Sequence, residues 1–169
     1  GEGAVYLLPA GIWKRTGAPR DGTVTIVIAE ASAQEAKRAA EAALQLQLKP
    51  LLNRPVEFSL QVDGAALPEF GEAYDDRRIR LPYGVKSDRA TAVRVDADGK
   101  LRFVPSVFSE ADGAQVVTIH APYDGLYTVV EATGKSFKDL QGHWARADVE
   151  LLANKLIVNG ATDTKFVPD

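Results

Sequence analysis

The 169-residue chain contains no cysteine. That excludes disulfide staples, Cys-ligated zinc and thiol nucleophiles. It has no excess of positive charge either: 20 Lys and Arg stand against 23 Asp and Glu, a net of −3. A nucleic-acid partner would call for a basic patch, so none is expected. No apolar run approaches the roughly 20 residues of a membrane span. No signal peptide is visible, so Gly1 is expected to begin a mature or excised piece. Enzyme signatures are missing: there is no G-x-S-x-G elbow, no H-E-x-x-H pair and no phosphate-cradling glycine loop. Internal repeats and low-complexity tracts are absent too. Neither an enzyme nor a cofactor is expected.

What is present is an apolar fraction of 46%, enough for a core without staples or metals. One domain plus a fragment is the natural expectation. Residues 1–132 read as β-rich. The β-branched run Thr23 to Ala29 and the shorter Ala4 to Leu8 are strand candidates. Ser32 and Glu35 match a capping box. Ala36, Ala40, Leu44 and Leu48 follow at four-residue spacing, predicting an amphipathic helix over about 32–48 that stops before Pro50. Val56 to Val62 alternates apolar with polar, as a half-buried strand does. Further short strands are expected at Arg77 to Leu81, Thr91 to Val95, Leu101 to Val104, Gln115 to His120 and Leu126 to Glu131. The last two are expected to pair through Pro122 to Gly125. The fold class that follows is α+β: a mainly antiparallel, sandwich-like β domain with one inserted helix, followed by a short helical segment.

Several residues could carry chemistry. Asp96, Asp98 and Gly99 could open a calcium loop, but Val107 occupies the position of the distal Glu, so a hairpin turn is expected. Glu69, Glu72, Asp75 and Asp76 cluster around Phe70 and Tyr74. Paired acids can cleave glycosides, although a solvated loop is the plainer reading. Trp13, Tyr74, Tyr83 and Tyr123 fall in expected loops or strand ends. Aromatic platforms stack on sugar rings, so carbohydrate binding is an alternative function. The histidines His120 and His143 fall in different expected domains.

The last stretch is the most specific. Phe137, Asp139, Gly142, His143, Trp144 and Ala145 precede an apolar helix predicted over about 144–155, then come Ile157, Val158 and Gly160, and finally Phe166 and Pro168. In that order and spacing the segment resembles the opening half of an S-layer homology (SLH) domain: F-x-D, G-H-W-A, a helix, a G-I-V-x-G turn and F-x-P. Leu156 stands where the family often has Gly. The domain organisation expected is residues 1–132 as the β-rich domain, 133–136 as linker and 137–169 as a truncated SLH domain.

The resemblance implies a bacterial cell-surface, cell-wall or S-layer location and secondary cell-wall polysaccharide as partner through complete SLH repeats. It also implies a T-R-A-E-type continuation whose Arg contacts the polymer. A half-copy is not expected to bind the wall alone. The β-rich part is also similar to segments that precede SLH repeats in some surface proteins, on Arg78 to Pro82, Asp96 to Gly99 and Gly125 to Val130. The reading is a non-catalytic spacer or interaction module beside a wall anchor. The motif residues are expected to be mainly structural, with Trp144 anchoring the small core and His143 at the helix start. The tail helix should bury its stripe on its own domain or on another copy, and the oligomeric state is left open.

Overall fold

The computed structural model describes residues 3–8, 22–66, 74–132 and 134–168. The strands are β1 (Ala4–Leu7), β2 (Val24–Glu30), β3 (Leu48–Pro50), β4 (Val56–Val62), β5 (Ala65–Ala66), β6 (Asp75–Arg80), β7 (Ala90–Val95), β8 (Leu101–Phe103), β9 (Ser106–Ala111), β10 (Ala114–Ala121) and β11 (Gly125–Ala132). The helices are α1 (Ala33–Gln45) and α2 (Arg146–Asn154), with a 3-10 turn at Lys138–Leu140. One sheet has four strands in the order β1-β6-β10-β9. The other has seven, in the order β2-β4-β11-β7-β8, with β3 added to β11 and β5 to β4. Every pairing is antiparallel. The α+β, sandwich-like class is what the chain adopts.

The inner faces follow from period-two alternation. Tyr6, Ile79, Val117 and Ile119 from the small sheet meet Phe58, Leu60, Ala92, Tyr127 and Val129 from the large one. The large sheet is covered on its other face as well. Ala43 of α1 packs there with Leu48, Val93, Val130 and Ala132. This explains why β7 and β11 read as nearly continuous apolar runs: both of their faces are buried. The outer face of the small sheet has no such cover among the described residues, and Val5, Arg78, Arg80, Val107 and His120 are exposed on it.

Three expectations need correcting. The strands β10 and β11 do not pair with each other; β10 lies between β6 and β9, and β11 between β4 and β7. The chain changes sheets at Pro122 to Asp124, because the Asp124 side chain is turned inward: Oδ2 accepts the N–H of Leu60 and Oδ1 the hydroxyl of Tyr6 at 2.7 Å. Helix α1 does have its capping box, with Ser32 Oγ accepting the N–H of Glu35 and Glu35 Oε2 that of Ser32. It ends earlier than expected, however, and buries Ala39 and Ala43, while Leu44 is 67% exposed and Leu48 belongs to β3. A face of small residues lets the helix backbone approach the sheet, whereas Leu would hold it away. Finally, Asp75 is not in a solvated loop but is 1% exposed in β6.

Asp75 shares an inward row with Arg77, and Arg77 is fully buried between the sheets. Its guanidinium donates to Ala121 O at 2.8 Å, Tyr6 Oη at 2.7 Å and Asp124 Oδ1 at 3.1 Å. It also lies 4.6 Å from the Tyr6 ring centroid and 5.3 Å from that of Tyr127. Burial raises the pKa of both tyrosines above the ordinary phenol value, so both remain neutral donors. The Tyr127 hydroxyl donates to Tyr123 O and ties β11 back to the sheet-changing corner.

Removing one member of a buried ion pair leaves a stranded charge, at a cost of about 3–5 kcal/mol. Asp124→Ala is therefore expected to lower the urea unfolding free energy by about that amount. A loss below about 1 kcal/mol would show that Arg77 is adequately solvated by its other partners.

Candidate functional site

The C-terminal segment builds a small core of its own. Phe137, Leu140 and Ala153 are buried together, with Val149, Val158 and Phe166 packed against them. Phe137 and Phe166 have ring centroids 5.5 Å apart. The Asp139 carboxylate holds the closing loop, accepting the N–H of Val167 at 2.8 Å and that of Phe166 at 3.0 Å. The Val167 N–H first and the Phe166 N–H next draw the Asp139 pKa below the usual carboxylate value, against an opposing effect of desolvation. Gly160 is a steric requirement: a Cβ there would lie 2.6 Å from Thr162 O and 2.7 Å from Lys165 O and would overlap the Phe137 ring. Gly142 turns the chain at φ +79°. His143 sits at the helix start, its Nδ1 accepting the N–H of Ala145, the N-cap residue. Pro168 is exposed.

Trp144 departs from its expected role. It is 87% exposed and stacks only on His143, with centroids 5.6 Å apart. The buried aromatic of this segment is Phe137. Trp144 lies in the turn before α2, outside the 149–153 stretch that supplies the helix's core contacts.

Two consecutive residues after α2 fasten the segment to the sandwich. Leu156 takes a left-handed backbone, φ +61°, where a non-glycine residue is strained. Its side chain compensates by packing against the cluster that Ala43, Leu48, Val93, Val130 and Ala132 form on the large sheet. Lys155 Nζ donates to Ser87 O at 2.5 Å and Ala90 O at 2.7 Å, and lies 5.1 Å from the Phe108 ring centroid. Burial lowers the Lys155 pKa below the ordinary lysine value. Asn154 Oδ1 accepts the N–H of Lys135 at 2.7 Å. Leu152 is half-buried. The tail stripe thus finds cover within its own chain.

The remaining candidates separate. Asp96 is paired with Arg94 at 3.0 Å and Arg102 at 2.8 Å, and Asp98 with Lys100 at 2.9 Å, across a hairpin turn closed by Gly99. Among the described residues no cluster of three His, Asp or Glu is placed to hold a metal. Asp75 and Asp76, neighbours in β6, point to opposite faces of the sheet; Glu69, Phe70 and Glu72 lie outside the described residues. An open cleft of about 580 Å³ between β1 and β2 has Glu30 as its one carboxylate among the described lining residues, and Glu30 faces Arg54 at 3.8 Å. Trp13 lies outside the described residues. Tyr83 is fully exposed in a turn, Tyr123 covers Arg94 with 4.8 Å between cation and ring, and Tyr74 stacks on His120 at 4.8 Å. No helix among the described residues is long and apolar enough to cross a membrane.

Sequence reasoning missed Arg77, Asp124 and Lys155. Arg77 carried a signal, since the alternation Arg77, Ile79, Leu81 places it inward; Asp124 and Lys155 carried none.

Residues 136–169 match the family model of the S-layer homology domain. No curated protein matches the chain, and no solved structure matches it.

Gly160→Ala is expected to unfold the small C-terminal core while leaving the sandwich intact, seen as lost amide-exchange protection confined to 137–166. Uniform protection in that variant would show that the close approach is relieved. Asp139 supplies a pH dependence of known sign. Its folded pKa lies below the unfolded value, so its stabilisation is complete above the unfolded pKa and is lost as pH falls through the folded one. Asp139→Asn should abolish that acid-side loss of protection in 137–166, and an unchanged pH profile would assign it elsewhere.

Proposed function

We propose that the chain comes from a cell-wall-associated bacterial surface protein, on the strength of the partial S-layer homology domain at its C-terminal end, and that residues 1–132 act there as a non-catalytic spacer and interaction module beside the wall anchor. Secondary cell-wall polysaccharide is the polymer that SLH domains bind. In this reading complete repeats of the parent protein make that contact, and the sandwich contributes shape and stiffness.

The observation that supports the spacer role is the docking of the C-terminal segment. Leu156 in the outer apolar cluster and Lys155 on two backbone carbonyls join the segment to the large sheet. A segment tethered only by residues 133–136 would swing freely. With these contacts the sandwich holds one direction relative to the anchor. The separation of Asp75 from Asp76 and the pairing of Asp96, Asp98 and Glu30 with cations support the non-catalytic part.

A protein in which complete SLH repeats follow this sandwich should sediment with purified wall polysaccharide. Failure to sediment would end the anchor role. Lys155→Ala with Leu156→Ser should leave that sedimentation unchanged but broaden the spin-label distance distribution between the sandwich and residues 137–166. A distribution as narrow as in the parent would remove the spacer argument.

A further inference from the structure

Among the described residues nothing covers the outer face of the four-stranded sheet, and its composition is unlike a simple solvated surface. Register places three cross-strand rows on it. The first is Leu7, Asp76 and His120; the second is Val5, Arg78, Thr118 and Val107; the third is Arg80, Val116 and Ser109. Successive rows are about 7 Å apart, two residues along a strand.

At one end Tyr74 lies flat on the His120 ring, with 4.8 Å between centroids and 14° between planes. Asp76 Oδ1 fixes that imidazole through Nδ1 at 2.8 Å. Tyr74 is 49% exposed. Arg78 stands in the middle row and Arg80 in the row at the other end. Arg54, Arg77, Arg94, Arg102 and Arg146 all have a carboxylate partner. Arg78 and Arg80, like Arg38 and Arg89, form no salt bridge among the described residues, and only Arg78 and Arg80 lie two apart on one strand face. Val5, Leu7 and Val107 add exposed aliphatic surface between and beside these groups.

We propose that this face binds an anionic polysaccharide, with the Tyr74–His120 stack as platform for a sugar ring and Arg78 and Arg80 as the fork for its acidic groups. The charge complementarity is the argument for an anion: two adjacent guanidiniums project from one strand into solvent, and a planar fork matches a carboxylate in bidentate geometry. The argument for a sugar is the flat, oriented ring beside aliphatic patches, which offers stacking area at little entropic cost. The face has no enclosing walls among the described residues, so it suits a polymer lying across the strands rather than an enclosed small molecule. The proposal rests on the reading of the sandwich as an interaction module and names its partner class.

Affinity electrophoresis of the 169-residue protein through polygalacturonate tests it, with fully methyl-esterified polygalacturonate as the uncharged ring polymer and polyglutamate as the ringless polyanion. Retardation is expected in polygalacturonate and not in the ester. Arg78→Gln with Arg80→Gln should weaken it roughly tenfold or more, and Tyr74→Ala about fivefold. All three side chains are exposed, so circular dichroism should be unchanged. No retardation, or retardation indifferent to these substitutions, overturns the proposal. Equal retardation in polyglutamate with no effect of Tyr74→Ala overturns the sugar and leaves an acidic peptide as occupant. The Arg78→Gln/Arg80→Gln variant followed by complete SLH repeats should still sediment with wall polysaccharide, so failure of this face and failure of the anchor are separable.

Discussion

Arg77 is a fully buried cation in the middle of a β sandwich, and the arrangement of both sheets follows from keeping it solvated. Removing a charge from water costs several kcal/mol unless protein groups replace the water. Here the replacements come from distant parts of the chain: Tyr6 on β1, the end of β10 at Ala121, and Asp124 at the corner between β10 and β11. Asp124 also takes the N–H of Leu60 on β4. One carboxylate therefore binds strands of both sheets. It also marks the place where the chain leaves the small sheet for the large one. Purely apolar contacts would tolerate a sliding of one sheet over the other, whereas the directions of these hydrogen bonds select one registration.

The same division between apolar mass and a few directional contacts recurs at the C-terminal end. Phe137, Leu140 and Ala153 supply the apolar mass, but the loop is held by the Asp139 carboxylate, and its close approach is possible only because Gly160 has no side chain. The F-x-D and Gly positions of the motif thus have a physical explanation independent of any ligand. Leu156 shows a further trade. A glycine would adopt φ +61° without strain, and leucine adopts it because its side chain reaches the outer cluster of the large sheet. What in the motif is a turn position has become an attachment point in this chain.

The two faces of the sandwich have different fates for the same reason. The large sheet has aliphatic residues on both faces and must be covered twice, by the small sheet and by α1 with Leu156. The small sheet alternates strictly in β6, Asp75, Arg77 and Ile79 inward and Asp76, Arg78 and Arg80 outward. Among the described residues nothing covers its outer face.

Much of this was legible in the residues. The capping box at Ser32 and Glu35, the alternation of Val56 to Val62, the turn at Asp96 to Gly99 and the spaced motif from Phe137 to Pro168 each act over a few neighbouring positions, and local periodicity and turn chemistry suffice to find them. Strand partners were not legible: Gln115 to His120 and Leu126 to Glu131 look like a hairpin, and only the inward Asp124 sends them to different sheets. Nor was the fate of Trp144, since a large aromatic is buried only where other elements converge on it, and here they converge on Phe137. The sequence by itself determined where strands, caps and turns form, because those depend on neighbours a few residues apart. The tertiary structure alone decided which charges go inside, which sheet each strand joins and what the tail rests on, because those depend on groups brought together from as far apart as Tyr6 and Asp124 or Ser87 and Lys155.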